Sequence, residues 1–182
     1  MLSASIALSL WLAASPSVSP SSPFTDNTSR ALVLIFTRTD CPISNRYAPE
    51  IKRIYDAYST RGVKFYLVYP DREETAASIA KHREDYGYPM PAIEDPSHQL
   101  VARASATITP EAAVFVPIRT AAKSDWRLMY HGRIDDRYID FGKSRQQASV
   151  HDLQNAIDAV LAGRAPSPAV TKSIGCYIAD LR

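Results

Sequence analysis

The stretch from Leu32 to Asn45 reads LVLIFTRTDCPISN. Leu32 to Phe36 is a continuous apolar run, short and rich in branched residues, which suits a strand covered on both faces. The run stops at Thr37-Arg38-Thr39-Asp40, and Cys41 follows at once. From Tyr47 the pattern turns helical, with Tyr47, Ile51, Ile54, Tyr55 and Tyr58 on one face. This predicts a helix over about 43–60. Pro42 suits its first turn, where the missing N–H would be unpaired in any case. Cys41 therefore falls where a buried strand ends and a helix begins. Unpaired backbone N–H groups and the positive end of the helix dipole both favour a thiolate there. Arg38 and Arg46 add positive charge nearby, and Asp40 opposes them. The plainer alternative is a structural cysteine acting as a small buried hydrophobe.

Outward from this stretch the chain alternates. Gly62 stops the helix, Val63 to Tyr69 (VKFYLVY) reads as a second strand, and 73–86 as a second helix ending at Gly87. Ala92-Ile93 is a short strand, Asp95-Pro96-Ser97 a turn and His98 to Ala104 a short helix. Thr109-Pro110 precedes an apolar strand from Glu111 to Ile118, joined by a polar loop to Trp126 to Ile134. Val150 to Leu161 is a closing amphipathic helix, with Val150, Leu153, Ile157, Val160 and Leu161 on one side. The order β-α-β-α then β-β-α predicts an α/β domain over 23–163.

The two ends read differently from the middle. Ala4 to Ala14 is apolar but too short to span a bilayer comfortably. Small residues and a Ser/Pro-rich spacer follow, so 1–22 reads as a signal peptide, although it carries no Lys or Arg. The implied location is exported, periplasmic or extracellular, with no membrane span in the mature chain. At the other end, 164–182 is a tail that begins with the stiff Ala165-Pro166-Ser167-Pro168 and carries the second of the two cysteines, Cys176. With 182 residues the chain fits one sizeable core, and a net charge of +2 argues neither for a nucleic-acid nor for a strongly acidic partner, so no nucleic acid is expected.

Strand, Cys-Pro-x-x, then helix resembles the active-site turn of the thioredoxin-like superfamily. Cys41 matches the first cysteine of the Cys-x-x-Cys pair, and Ser44 stands where the second would be. Thr109-Pro110 is similar in place to the cis-proline that packs beside the active-site cysteine there. Taken with Gly132-Arg133-Ile134-Asp135-Asp136 and the late Gly175-Cys176-Tyr177-Ile178, the chain looks like the redoxin or peroxiredoxin-like branch related to AhpC/TSA proteins. The resemblance implies a thioredoxin-like fold, with a central mixed β-sheet and helices on both faces. It implies Cys41 and Cys176 as catalytic residues, and Pro42, Ser44, Thr109 and Pro110 as the substrate-binding surface. Asp135 and Asp136 would line the site, although strand-end and turn capping is their ordinary role.

The function expected is thiol–disulfide exchange. Cys41 would attack, and Cys176 or an external thiol would resolve the mixed disulfide. Partners would be protein or small-molecule thiols and disulfides with an external thiol reductant, and no cofactor or metal is called for. Three alternatives stand beside it. A thiol-dependent peroxidase of antioxidant type should show Pro-x-x-x-Thr-x-x-Cys, but Leu34 and Arg38 occupy the first two of those positions ahead of Cys41. A copper-handling protein could pair Cys41 with His131, yet Asn45 replaces the second cysteine that copper carriers of this fold use. A non-catalytic module could hold a peptide in the groove beside Pro110. His82, His98, His131 and His151 show no paired metal spacing.

Overall fold

The computed structural model describes residues 22–25, 28–119 and 124–181. The expected signal peptide lies almost wholly outside the described residues. In chain order the elements are β1 (Ala31–Phe36), α1 (Pro42–Arg46), α2 (Ala48–Tyr58), β2 (Val63–Tyr69), α3 (Ala76–Asp85), β3 (Ala92–Glu94), α4 (Gln99–Ala104), β4 (Ile108–Thr109), β5 (Glu111–Arg119), β6 (Ser124–Gly132), β7 (Tyr138–Asp140), β8 (Lys143–Ser144), α5 (Asp152–Leu161) and β9 (Cys176–Tyr177). The main sheet runs β3-β2-β1-β5-β6. β1, β2 and β3 are parallel, β5 runs antiparallel to β1, and β6 antiparallel to β5.

β1 sits at the centre and every residue in it is buried. Its side chains alternate between two cores, as the period of a strand requires. Ala31, Val33 and Ile35 join Ile51, Ile54, Ile79, Leu153 and Ile157 from α2, α3 and α5. Leu32, Leu34 and Phe36 join Val101 and Ala104 of α4 and Trp126 of β6 on the opposite face. Helices therefore cover both faces of a mixed sheet, and each large buried side chain is worth about 1.5–3 kcal/mol.

Three elements depart from the sequence expectation. The first long helix is two helices broken at Tyr47, which caps the end of α1 and the start of α2. Pro49 is the reason: it has no N–H to give the carbonyl of Asn45, so a continuous helix cannot pass. The second helix starts at Ala76, not at 73, because Thr75 and Ser78 form a reciprocal cap, with Ser78 N donating to Thr75 Oγ1 at 3.1 Å and Thr75 N to Ser78 Oγ at 2.9 Å. Val150 lies before α5 and is 41% exposed, so it is not part of the apolar side of that helix.

The tail is a structural part of the domain. After the cis Ser167–Pro168 bond it runs beside the end of β6, where Val170 bridges His131 in parallel. His131 N donates to Ala169 O at 3.1 Å, and Thr171 N to His131 O at 3.2 Å. Thr171 Oγ1 accepts from Arg133 N at 3.1 Å and lies 2.6 Å from Tyr130 Oη. Gly132, at φ 144°, makes this clasp possible, since a Cβ there would collide with Thr171. The chain then crosses to β4, pairing Cys176 with Thr109 and Tyr177 with Ile108. Ile178 N donates to Thr107 O at 3.0 Å, and the Ile178 side chain is buried in the α4-side core.

Candidate functional site

Cys41 is the N-cap of α1 in extended backbone (φ −83°, ψ 109°), with Pro42 at the first helical position. The peptide between Thr109 and Pro110 is cis, as the resemblance implied. Cys41 Sγ donates to Thr109 O at 3.4 Å. Because β9 pairs with β4 at that residue, Cys176 arrives at the same place. The two sulfurs are 2.8 Å apart, and both cysteines are free thiols. Gly175 allows the approach, since a Cβ there would run into the carbonyl of Thr109.

Of the residues expected to bind substrate, Pro42 is exposed, whereas Ser44, Thr109 and Pro110 are buried. The edge beside Pro110 that could have taken a peptide is occupied by the tail of the chain itself, and Thr109 Oγ1 donates to Cys176 O at 3.4 Å. A cleft of about 870 Å³ beyond the end of the tail is lined by His98, Val101, Thr107 and Leu181 and includes neither cysteine.

The two thiols are polarised in opposite senses. Burial alone would raise the pKa of Cys41, but it is held below its ordinary value because the Cys176 thiol and the hydroxyl and backbone N–H of Ser44 stabilise the anion. The Ser44 hydroxyl is fully buried with no other hydrogen-bond partner, so it is available to turn toward a thiolate. Cys176 is pushed up to about 12 by burial and by the adjoining Cys41. The arginines have other commitments. Arg38 is 3.1 Å from Asp40 and 2.9 Å from Asp71, and Arg46 is exposed. The thiolate is thus favoured by hydrogen bonding inside the site, including a backbone N–H of the kind expected at the helix start, and the arginines are engaged elsewhere.

Two groups support the site: His82, which the sequence reading placed in no role there, and Asp135, which it expected to line the site or cap a turn. His82 is buried, with Nε2 2.9 Å from Asn45 Oδ1 and Nδ1 2.8 Å from Tyr69 Oη, while Asn45 Nδ2 donates to Thr39 O at 3.0 Å. This assigns Nε2–H to a neutral imidazole, and burial lowers the pKa of His82 in agreement. The network ties α3 to the turn that precedes Cys41. Asp135 is buried and accepts from Tyr47 Oη at 2.6 Å and from Arg137 N at 2.9 Å, so it fixes the junction between α1 and α2. Asp136 caps the next turn, accepting from Ser149 N and Val150 N at 2.6 and 2.9 Å. Both signals lay in residues the sequence displayed, but the contacts that tie them to Asn45 and Tyr47 span 37 and 88 residues.

Metal chemistry finds little support in the side chains. Glu50, Asp135 and His151 converge, but Arg53 holds Glu50 with bonds of 2.7 and 2.9 Å and Arg137 faces Asp135 at 3.8 Å. The carboxylates are therefore already neutralised. His131, the imagined copper ligand, is 3.2 Å from Glu111 Oε1.

A mixed sheet with helices on both faces, a cysteine at a helix start and a cis-proline strand against it define a thioredoxin-like protein. Residues 21–122 match the AhpC/TSA family, more than half of the chain, and the protein belongs to that family. Among solved structures, a hypothetical protein from Sinorhizobium meliloti 1021 is similar at 26% identity and a TM-score of 0.67, covering 83% of this chain and 80% of its own. An uncharacterized conserved protein from Geobacillus kaustophilus is 28% identical with a TM-score of 0.65, covering 82% and 77%. A secreted Mycobacterium tuberculosis disulfide oxidoreductase is 16% identical over 74% and 81%, with a TM-score of 0.44. No curated protein matches the chain. Among the described residues no helix is long and apolar enough to cross a membrane.

Proposed function

We propose that the protein is an exported thiol–disulfide oxidoreductase working through Cys41 and Cys176. The observation that carries this reading is the 2.8 Å separation of two free thiols of opposite polarisation. With β9 lifted, the Cys41 thiolate attacks a substrate disulfide, forming a mixed disulfide and releasing one substrate thiolate. Cys176, once deprotonated, then attacks the Cys41 sulfur, expels the second substrate thiolate and closes the Cys41–Cys176 bond. The substrate gains two electrons and the protein becomes oxidised; an external thiol returns it to the dithiol. Pro42 and the Thr109–Pro110 edge border the site on the substrate side. Oxidation of the full chain at low concentration, followed by non-reducing peptide mapping, tests the reading. An intramolecular Cys41–Cys176 peptide is expected, and exclusively intermolecular species would overturn it.

A further inference from the structure

Resting on that cysteine-pair reading, we infer that the external thiol reductant enters at Cys176, so that Cys41 is the leaving group and never the point of attack in the oxidised protein. The asymmetry is one of access. Cys41 is 1% exposed, walled by Ser44 and by the carbonyl of Thr109. On its partner's side Cys176 of β9 lies 2.8 Å from it, and in the oxidised state β9 is covalently tied down. Lifting the tail, which frees Cys41 in the dithiol, is then impossible. Cys176 is half-buried on a two-residue strand paired along one edge, and the next residue, Tyr177, is 78% exposed. Ile174 packs on one core and Ile178 in the other, so the tail is pinned on both sides of the cysteine while its outer surface stays open.

Disulfide exchange is an in-line displacement, and its rate rises as the leaving thiol becomes more acidic. Attack at Cys176 sends out the sulfur that Ser44 stabilises as an anion; attack at Cys41 would send out the thiol that its surroundings keep protonated. Access and leaving-group quality therefore select the same sulfur. A thiolate RS⁻ attacks Cys176 Sγ, the Cys41–Cys176 bond breaks, and RS–S–Cys176 forms with a Cys41 thiolate. A second RS⁻ attacks the sulfur of R, giving RSSR and the Cys176 thiolate, which takes up a proton. Two external thiols are oxidised and one protein disulfide is reduced. Tyr177, the exposed neighbour of Cys176, places whatever charge it carries within a few ångströms of the point of attack.

The test uses the full chain oxidised to its intramolecular disulfide and exposed briefly to glutathione, then acid-quenched, alkylated and peptide-mapped. Glutathione on Cys176, in at least tenfold excess over Cys41, is expected. Predominance on Cys41 would overturn the inference while leaving the cysteine pair intact. Failure to form any intramolecular disulfide would overturn both together. Reduction rates give an independent readout where the mixed disulfide is too short-lived to trap. Glutathione is anionic, so Tyr177→Glu should slow reduction by about threefold and Tyr177→Lys should speed it comparably, the size expected for one charge a few ångströms away in water. Identical rates for both variants would overturn entry past Tyr177.

Discussion

The seats of the two cysteines are built on different principles. Cys41 stands on a turn of local structure, between the fully buried β1 and the short α1, and is braced by contacts from three other elements. Cys176 stands on two residues of strand, positioned by a glycine with no side chain and by apolar residues on either side. The first seat fixes a sulfur and stabilises its anion. The second delivers a sulfur and keeps it protonated. An exchange pair divided in this way has a nucleophile that is always in place and a partner whose arrival depends on docking.

The largest effect expected from this division is on Cys41→Ser, which should lower disulfide-reductase turnover by about 10³-fold or more, since the weaker hydroxyl replaces the thiolate. Cys176→Ser should instead leave the first attack intact and accumulate mixed disulfides on Cys41, seen as discrete mass additions. Gly175→Val breaks only the delivery. Its side chain meets the carbonyl of Thr109, and closure of the intramolecular disulfide should slow by about 100-fold while Cys41 still alkylates. Equal closure rates in mutant and parent would show that β9 need not dock for the pair to form.

Ser44→Cys merges the two seats, placing a second thiol inside the turn as Cys-Pro-Ile-Cys. Insulin-type reductase turnover should rise by about tenfold and lose its dependence on Cys176; unchanged turnover would mean that the turn does not support dithiol exchange.

The pH dependence separates the seats by sign. Cys41 is lower in the folded protein than in the unfolded chain, so its contribution to stability is present above the ordinary thiol range and is lost as pH falls through its folded value. Cys176 is raised from 9.0 to about 12, so its contribution is present below pH 9 and is lost between about 9 and 12. Thermal melts of the reduced protein should therefore show an alkaline decline that Cys176→Ala makes shallower, the remainder belonging to buried tyrosines such as Tyr58, which burial pushes up to about 12. Iodoacetamide profiles should show Cys41 ionising at lower pH in the parent than in Cys176→Ala. The smallest effect is expected from His82→Phe, which leaves Tyr69 and Asn45 each short of a partner. A loss of about 1–3 kcal/mol in unfolding free energy from denaturant titrations is expected, with the cysteine pair still forming.

The parts of this molecule that were legible in the sequence are those governed by short periods. The unbroken Leu32–Phe36 run declared a strand covered on both faces, and the strand from Val63 to Tyr69 was read to the residue. The break at Tyr47 was also written locally, in Pro49, but the continuing apolar face of Ile51, Ile54 and Tyr58 masked it. β9 carries no periodic signal, because two residues cannot display one. Chain reach permitted Cys176 to return to Cys41, but adjacency depends on Thr109 and Gly132, which lie far away in sequence. His82 was invisible as a support for the same reason, and Asp135, though expected at the site, had no legible partner. Their partners, Asn45 and Tyr47, are 37 and 88 residues away.

The clasp at Thr171 has a kinetic consequence. With Thr171 fixed against Gly132, the free span to Cys176 is five residues, so an undocked thiol can stray no more than about 17 Å. Confinement in so small a volume corresponds to a local thiol concentration on the order of 10 mM or above. At micromolar protein, collisions with a second molecule are then about ten-thousandfold too infrequent to compete. Undocking the tail admits a substrate without loosing the resolving thiol into bulk solution, and covalent dimers are a minor product at any ordinary concentration.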